Sequence, residues 1–409
     1  MTVLATPPDA GDEARDGRVC ASPRDLVGAT PLLRVTGPLA GTHPGFWAKL
    51  EGLGPAGMKA RAALSVLDAA RRRGDLAPGA PVVESTSGSL GLGLALACTA
   101  LGHPLVVVAD RELDGPTRTL LRARGVRLEI VETPHPTGGW QQARLDRVAR
   151  VLATEPGAYW PDQYSNPDNP AGYAPMVAEL AGQCASGPGT PRVLVCSVGT
   201  GGHSAGLAAG LRRRWPDLRV VGVDAPNSSV FGPDPGPRVM RGLGSSIHPD
   251  NVDYAAFDEV HWVGPAEAAQ ACRALARHTF VTGGWSTGAV ALVSAHVART
   301  RGDDRVLTVF PDGPERYAST IFDDAFCDRH GLFAAPATAP VDVASPPRRV
   351  PSGWTRCRSV ADPCRARHAG ARHDSARHDS ARHDGARHDG ARRDPTRTGP
   401  CRVCGKEAA

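Results

Sequence analysis

From Ala21 to Gly331 the chain alternates short apolar runs with longer amphipathic stretches, and this rhythm constrains the fold more than any other feature. Strands buried on both faces read as continuous apolar runs, whereas covering helices carry one apolar stripe. The pattern therefore predicts an α/β fold with a parallel sheet between helical layers. Strand candidates are Phe46 to Leu50, Pro81 to Glu84, Pro104 to Val108, Leu128 to Val131, Val193 to Cys196, Val220 to Val223 and Val306 to Phe310. Helical periodicity falls on Ala60 to Arg73, Leu90 to Leu101, Trp140 to Ala153, Ser204 to Trp215, Pro265 to His278 and Ala289 to Arg301. A chain of 409 residues exceeds what one core fills, so two lobes are expected.

After Gly331 the rhythm stops. Residues 334–351 are rich in Pro and Ala, and from Ala366 a five-residue unit of the type Ala-Arg-His-Asp-Ser repeats. A period of five matches neither helix nor strand, so no apolar face forms to offset the entropy of ordering. Residues 336–409 are expected to be a disordered tail, and truncation after about Ala344 to leave activity intact. Residues 1–20 are expected to be disordered as well. Their lack of a basic start and an apolar core argues against a signal peptide, and no apolar run reaches membrane-spanning length. A cytoplasmic protein without membrane contact is the expectation.

The net charge of +5 raises the possibility of nucleic acid, but Arg71, Arg72 and Arg73 beside Asp75 read as a solvated helix face, so no nucleic-acid partner is expected. Of ten cysteines, Cys98, Cys184, Cys196 and Cys272 fall within helix or strand patterns, as small buried hydrophobes do. Cys401 and Cys404, with Cys357 and Cys364, are read as loose thiols, and no metal site is expected.

Chemistry is signalled first by scarcity. Lysine occurs only as Lys49, Lys59 and Lys406 among 47 basic residues. Arginine cannot replace lysine where an amine must lose a proton and form an imine. Lys406 lies in the tail and Lys49 in a strand pattern, which leaves Lys59. Lys59 follows the loop Gly54-Pro55-Ala56-Gly57-Met58 and opens a helix, where the dipole opposes a cation and favours the neutral amine. A solvent-facing lysine in the first helical turn is the alternative.

Two loops add to this. Ser197-Val198-Gly199-Thr200-Gly201-Gly202-His203 joins a strand to a helix, so converging backbone N–H groups and the helix N-terminus suit a phosphate. A dinucleotide site is the competing reading, with Asp224 closing the next strand as a ribose acid, although Ser204 breaks the glycine fingerprint. A structural turn is the third. Ser85-Thr86-Ser87-Gly88-Ser89 likewise precedes a helix, and its hydroxyls suit a substrate carboxylate.

Together these segments resemble the cysteine synthase and cystathionine β-synthase family of pyridoxal-phosphate (PLP) enzymes, from about Leu26 to Gly331. Val27-Gly28-Ala29-Thr30-Pro31-Leu32 is similar to the family's opening signature. Lys59 matches its Schiff-base lysine. Thr86, Ser87 and Ser89 match the loop that binds the substrate carboxylate and the ring hydroxyl, and Gln163 its partner. Gly199, Thr200, Gly201, Gly202 and His203 match the phosphate cup, Gly242 the strip beside the ring, and Ser286 the hydroxyl facing the pyridine nitrogen. Ser89 stands where the family has asparagine, Ala60 where it has an acid, and His203 where it has threonine.

The resemblance implies fold type II, two doubly wound three-layer domains of the tryptophan synthase β kind. The smaller domain is expected at 45–160, the larger cofactor-binding one at 21–44 plus 161–335. It implies PLP-dependent β-replacement on O-acetylserine or O-phosphoserine through an aminoacrylate, giving cysteine or a related alanine, in a homodimer acting on amino-acid substrates. Glu84 to Gly88, His135 to Gly139 and Val223 to Ala225 look more like the branch that joins phosphoserine to glutamate for diaminopropionate. A nicotinamide-dependent dehydrogenase and a cofactor-free binding relative are the readings from other classes.

Overall fold

The computed structural model describes residues 19–37, 39, 45–303 and 305–363. In chain order the strands are β1 (Leu32–Val35), β2 (Phe46–Leu50), β3 (Val82–Ser85), β4 (Leu105–Asp110), β5 (Arg127–Val131), β6 (Val193–Ser197), β7 (Arg219–Asp224), β8 (Glu259–Val263), β9 (Val306–Phe310), β10 (Val341–Val343) and β11 (Trp354–Cys357). The helices are α1 (Lys59–Arg73), α2 (Ser89–Leu101), α3 (Gly115–Ala123), α4 (Gly139–Thr154), α5 (Asp168–Ala171), α6 (Ala174–Ser186), α7 (Gly202–Arg214), α8 (Pro265–Thr279), α9 (Trp285–Arg301) and α10 (Asp324–Arg329).

Two sheets result. The larger has the order β1-β2-β9-β6-β7-β8-β11-β10, and the smaller is β3-β4-β5 with all pairs parallel. The strand period of two explains how each sheet is covered. In β6, Val193 and Val195 join the core formed with Ala289 and Val293 of α9, while Leu194 and Cys196 join the opposite core with Leu180 of α6 and Leu207 of α7. In β3, Val82 packs with Leu67 of α1 and Leu94 of α2, and Val83 with Val148 and Val151 of α4. Each fully buried Leu or Val contributes about 1.5–3 kcal/mol relative to exposure.

Three expectations need correction. Strand β2, placed by sequence in the 45–160 unit, pairs in parallel with β9 through Trp47↔Leu307, so it belongs to the larger sheet. The reason is register: its buried face continues the apolar layer of β9, which is distant in sequence. The second is the tail. Residues 341–343 and 354–357, placed in the disordered 336–409 segment, add β10 and β11, with β11 antiparallel to β8. Trp354 and Cys357 are fully buried there, so truncation after Ala344 would strip a wall from the core. Proline-rich composition hid two short strands that only the edge of β8 completes. The third is β8 itself, which no apolar run announced. It carries Glu259 and His261 inward, and His261 accepts a hydrogen bond from Trp354 Nε1 at 3.0 Å.

Residues 1–18 and the repeat with Cys401, Cys404 and Lys406 lie outside the described residues. Among the described residues no helix is long and apolar enough to cross a membrane. Arg71, Arg72 and Arg73 are exposed as expected, and Cys98, Cys184, Cys196 and Cys272 are buried free thiols.

Candidate active site

The carboxyl ends of β3, β6 and β9 open into a cavity of ≈ 630 Å³, the position where parallel sheets place ligands. Lys59, Thr86, Ser87, Ser89, Gln163, Gly199, Thr200, His203, Gly242 and Ser286 all line it. Residues expected from sequence to act together, some separated by more than two hundred positions, thus converge.

Lys59 is the first residue of α1 and faces this cavity. No hydrogen bond or ion pair to its ammonium occurs among the described residues. Burial lowers its pKa to about 8, with the Asp312 carboxylate acting in the opposite direction. Desolvation is therefore the principal cause, at a residue that opens α1. An amine so placed reaches its neutral, nucleophilic form near physiological pH.

Facing it, the loop after β6 turns into α7. The backbone N–H groups from Gly199 to Ser204 meet no protein acceptor among the described residues, and α7 has no side-chain cap. Thr200 Oγ1 is buried without a partner beside them. Consecutive free donors at a helix N-terminus fit a dianionic phosphate. Gly201 and Gly202 do not line the cavity. Gly201 has φ +83°, and a Cβ there would meet the Asn251 backbone at 2.6 Å. At Gly202 the Asn169 side chain occupies the place of a Cβ. Packing thus requires these two glycines, while their N–H groups remain free. Burial, helped by nearby Lys59, lowers the His203 pKa to about 3, so its ring is neutral. Ser286 enters from the second position of α9, its Oγ donating to Gly242 O at 3.4 Å.

The Thr86–Ser89 loop is set by its neighbours. Gln163 Nε2 donates to Ser85 O at 2.6 Å, and Gln163 N to Glu84 Oε2 at 3.1 Å. Glu84 is fully buried, which raises its pKa to about 8 despite these bonds. Sequence reading missed Arg316 and Asp312, which follow β9 and line the cavity. Arg316 donates to Ser89 Oγ and, at 3.0 Å, to Asp114 Oδ2, the carboxylate that caps α3. At Gly88, with φ +143°, the Arg316 guanidinium fills the space a side chain would take. Asp312 accepts from Tyr317 Oη at 2.6 Å, and burial raises its pKa.

More unexpected is the charge. Five arginines (Arg111, Arg144, Arg238, Arg241 and Arg316) and Lys59 line the cavity against two acids, Glu112 and Asp312. Buried Asp110, behind the wall, pairs with both Arg144 and Arg241, the latter at 2.8 Å. Arg238 has no carboxylate within ion-pair distance among the described residues. It donates to Asn227 O at 2.8 Å and Ser246 Oγ at 3.1 Å. Burial lowers its pKa, a pull that Asp224 opposes. A signal existed for Arg144. It shares the inward stripe of α4 with Val148 and Val151, where an arginine has no place unless something binds it.

Asp224, the candidate ribose acid, is fully buried and does not line the cavity. That removes the dinucleotide reading's acid. What remains is a cup of free backbone N–H groups, an amine of lowered pKa and a hydroxyl at a helix start, an arrangement suited to an aldehyde cofactor bearing a phosphate. The chain belongs to the pyridoxal-phosphate dependent enzymes, whose family model matches residues 23–312, and PLP is its cofactor. It is similar to an N-(2-amino-2-carboxyethyl)-L-glutamate synthase of Ralstonia nicotianae, 36% identical over 330 residues, 80% of this chain and 96% of the relative. A cysteine synthase of Staphylococcus aureus is 32% identical over 305 residues, 73% of this chain and 96% of the relative. Among solved structures, an O-acetylserine dependent cystathionine β-synthase of Helicobacter pylori aligns with a TM-score of 0.68 at 26% identity, covering 74% of this chain and 98% of that one. The fold is that of the cysteine synthase-like type II enzymes.

Proposed function

We propose that the protein replaces the β-substituent of an O-activated L-serine, that the activated serine is O-phosphoserine, and that the incoming nucleophile is the amine of L-glutamate. The carrying observation is Arg238, a guanidinium without an acid partner among the described residues, facing the cavity that holds Lys59. A cavity with this surplus of guanidinium favours substrates bearing several negative charges, which phosphoserine and glutamate both do. The Ralstonia relative's name describes the corresponding product.

When bound, the cofactor supplies an aldehyde for an amine and a sink for the electrons of the substrate α-carbon. The N–H groups of Gly199 to Ser204 would hold its phosphate, and Ser286 Oγ would offer a hydroxyl to its ring. Thr86, Ser87 and Ser89 with the start of α2 hold the substrate α-carboxylate, and Gln163 fixes that loop from behind. Lys59 Nζ takes the α-proton and later returns it. Arg144, Arg238 and Arg241 stabilise the leaving phosphate as the Cβ–O bond breaks and inorganic phosphate departs, and the glutamate amine then forms the Cβ–N bond, giving up one proton to solvent.

The test is a donor and acceptor matrix with purified holoenzyme, products identified by mass. Phosphate release from O-phosphoserine that depends on glutamate is the expected result. Turnover of O-acetylserine with sulfide, and none with the phosphoserine and glutamate pair, would return the protein to cysteine synthesis.

A further inference from the structure

We propose that the C-terminal segment, which continues past the residues matched by the family model, is a strap that fixes the arginine-bearing loop and thereby sets affinity for the anionic substrate. The inference rests on the proposed reading of that cavity as an anion site.

The loop runs from Ser229 to Ser245 and is closed at its base by Ser229 N donating to Ser245 O at 2.8 Å. Its inner residues, including Arg238 and Arg241, line the cavity, whereas Gly232 and Asp234 do not. Those two meet the C-terminal segment instead. Asp234 N donates to Arg348 O at 2.8 Å, and Arg348 Nε to Asp234 Oδ2 at 3.1 Å. At Gly232 an added Cβ would lie 3.2 Å from Pro346 Cβ.

The strap is itself anchored at both ends. Residues 344–353 connect β10 to β11, Val343 and Val350 pack on the core, and Trp354 is fully buried. From Asp234 the chain passes through Pro235-Gly236-Pro237 to Arg238. Proline fixes φ at both flanking positions, and Gly236 N is tied to Asn227 O at 3.0 Å. The stretch is therefore stiff, and a shift at Asp234 reaches Arg238. Pro346 and Arg348 are positioning residues that act through this lever.

The test uses full-length holoenzyme carrying Pro346→Gly with Arg348→Ala, and Arg348→Ala alone. Arg348 is exposed, so the single variant keeps its fold. The expected result for the double variant is a KM for O-phosphoserine raised about threefold to tenfold. The single variant moves less, kcat stays within about twofold, and KM for O-acetylserine and the cofactor absorbance are unchanged. Arg348→Lys restores part of the loss. An unchanged KM, or an equal rise for the charged and neutral donors, overturns the strap. Failure of the unaltered enzyme to use O-phosphoserine overturns the underlying reading instead, and is visible before any variant is made.

Discussion

The cavity presents two different kinds of donor. On one wall, Gly199 to Ser204 offer backbone N–H groups at the start of α7, and no charged side chain takes part. On the other, Arg144, Arg238 and Arg241 offer guanidinium groups, with buried Asp110 neutralising only part of the charge. A backbone cup depends on chain path, so a neutral imidazole such as that of His203 can stand at its edge. A guanidinium wall depends on individual side chains and can be retuned one residue at a time. Under the proposed function the chain path would hold the cofactor, and local charge the substrate.

Removing the residue both walls serve has the largest effect. Lys59→Ala should lower turnover on the order of 10³-fold or more and abolish the borohydride-stable adduct at position 59. A mass spectrum still carrying that adduct elsewhere would displace Lys59 from its role. Next, Arg238→Ala should raise KM for O-phosphoserine about tenfold to a hundredfold, the cost of one charge-assisted hydrogen bond, with cofactor affinity unmoved. Parallel loss of cofactor would mean the two walls are not independent.

The converse change is smaller. Gly201→Ala places a side chain at φ +83°, costing roughly 1–2 kcal/mol before the contact with Asn251 is counted. PLP affinity measured by equilibrium dialysis should fall at least about tenfold. KM for O-phosphoserine in the loaded fraction should hold, and a shift there would merge the walls.

The smallest effect is one of pH, read in urea unfolding. Glu84 has its pKa raised to about 8 by burial, so the folded state keeps a proton that the unfolded chain releases. Stability contributed by the protonated form is complete below the ordinary carboxyl pKa and is lost as pH rises through about 8. Glu84→Gln should flatten that decline, and an unchanged slope between pH 5 and pH 8 would assign it to other groups.

Legibility followed the same division. The glycine loop, the hydroxyl loop and the isolated lysine were readable because each is a contiguous segment with a strand before it and a helix after it. Arg238, Arg241, Arg316 and Asp312 were not, since arginine on a surface and arginine on a cavity wall look alike until the chain is folded. Arg144 was the exception, standing on an apolar helical stripe that periodicity alone exposes. Strand β8 escaped because its inward Glu259 and His261 break the apolar run; the two pair with each other along the strand, and Trp354 of β11 and Arg219 of β7 supply their tertiary partners.

By itself the sequence determined the α/β rhythm, the isolated lysine at position 59 and the glycine loop between a strand and a helix, because local periodicity and backbone freedom specify those features within a few residues. Tertiary structure decided that β2 joins β9, that residues 341–357 complete the larger sheet, and that arginines from α4 and a distant loop share one cavity. Pairing across a sheet edge and the summed field of separated charges depend on distances in space, which spacing along the chain does not encode.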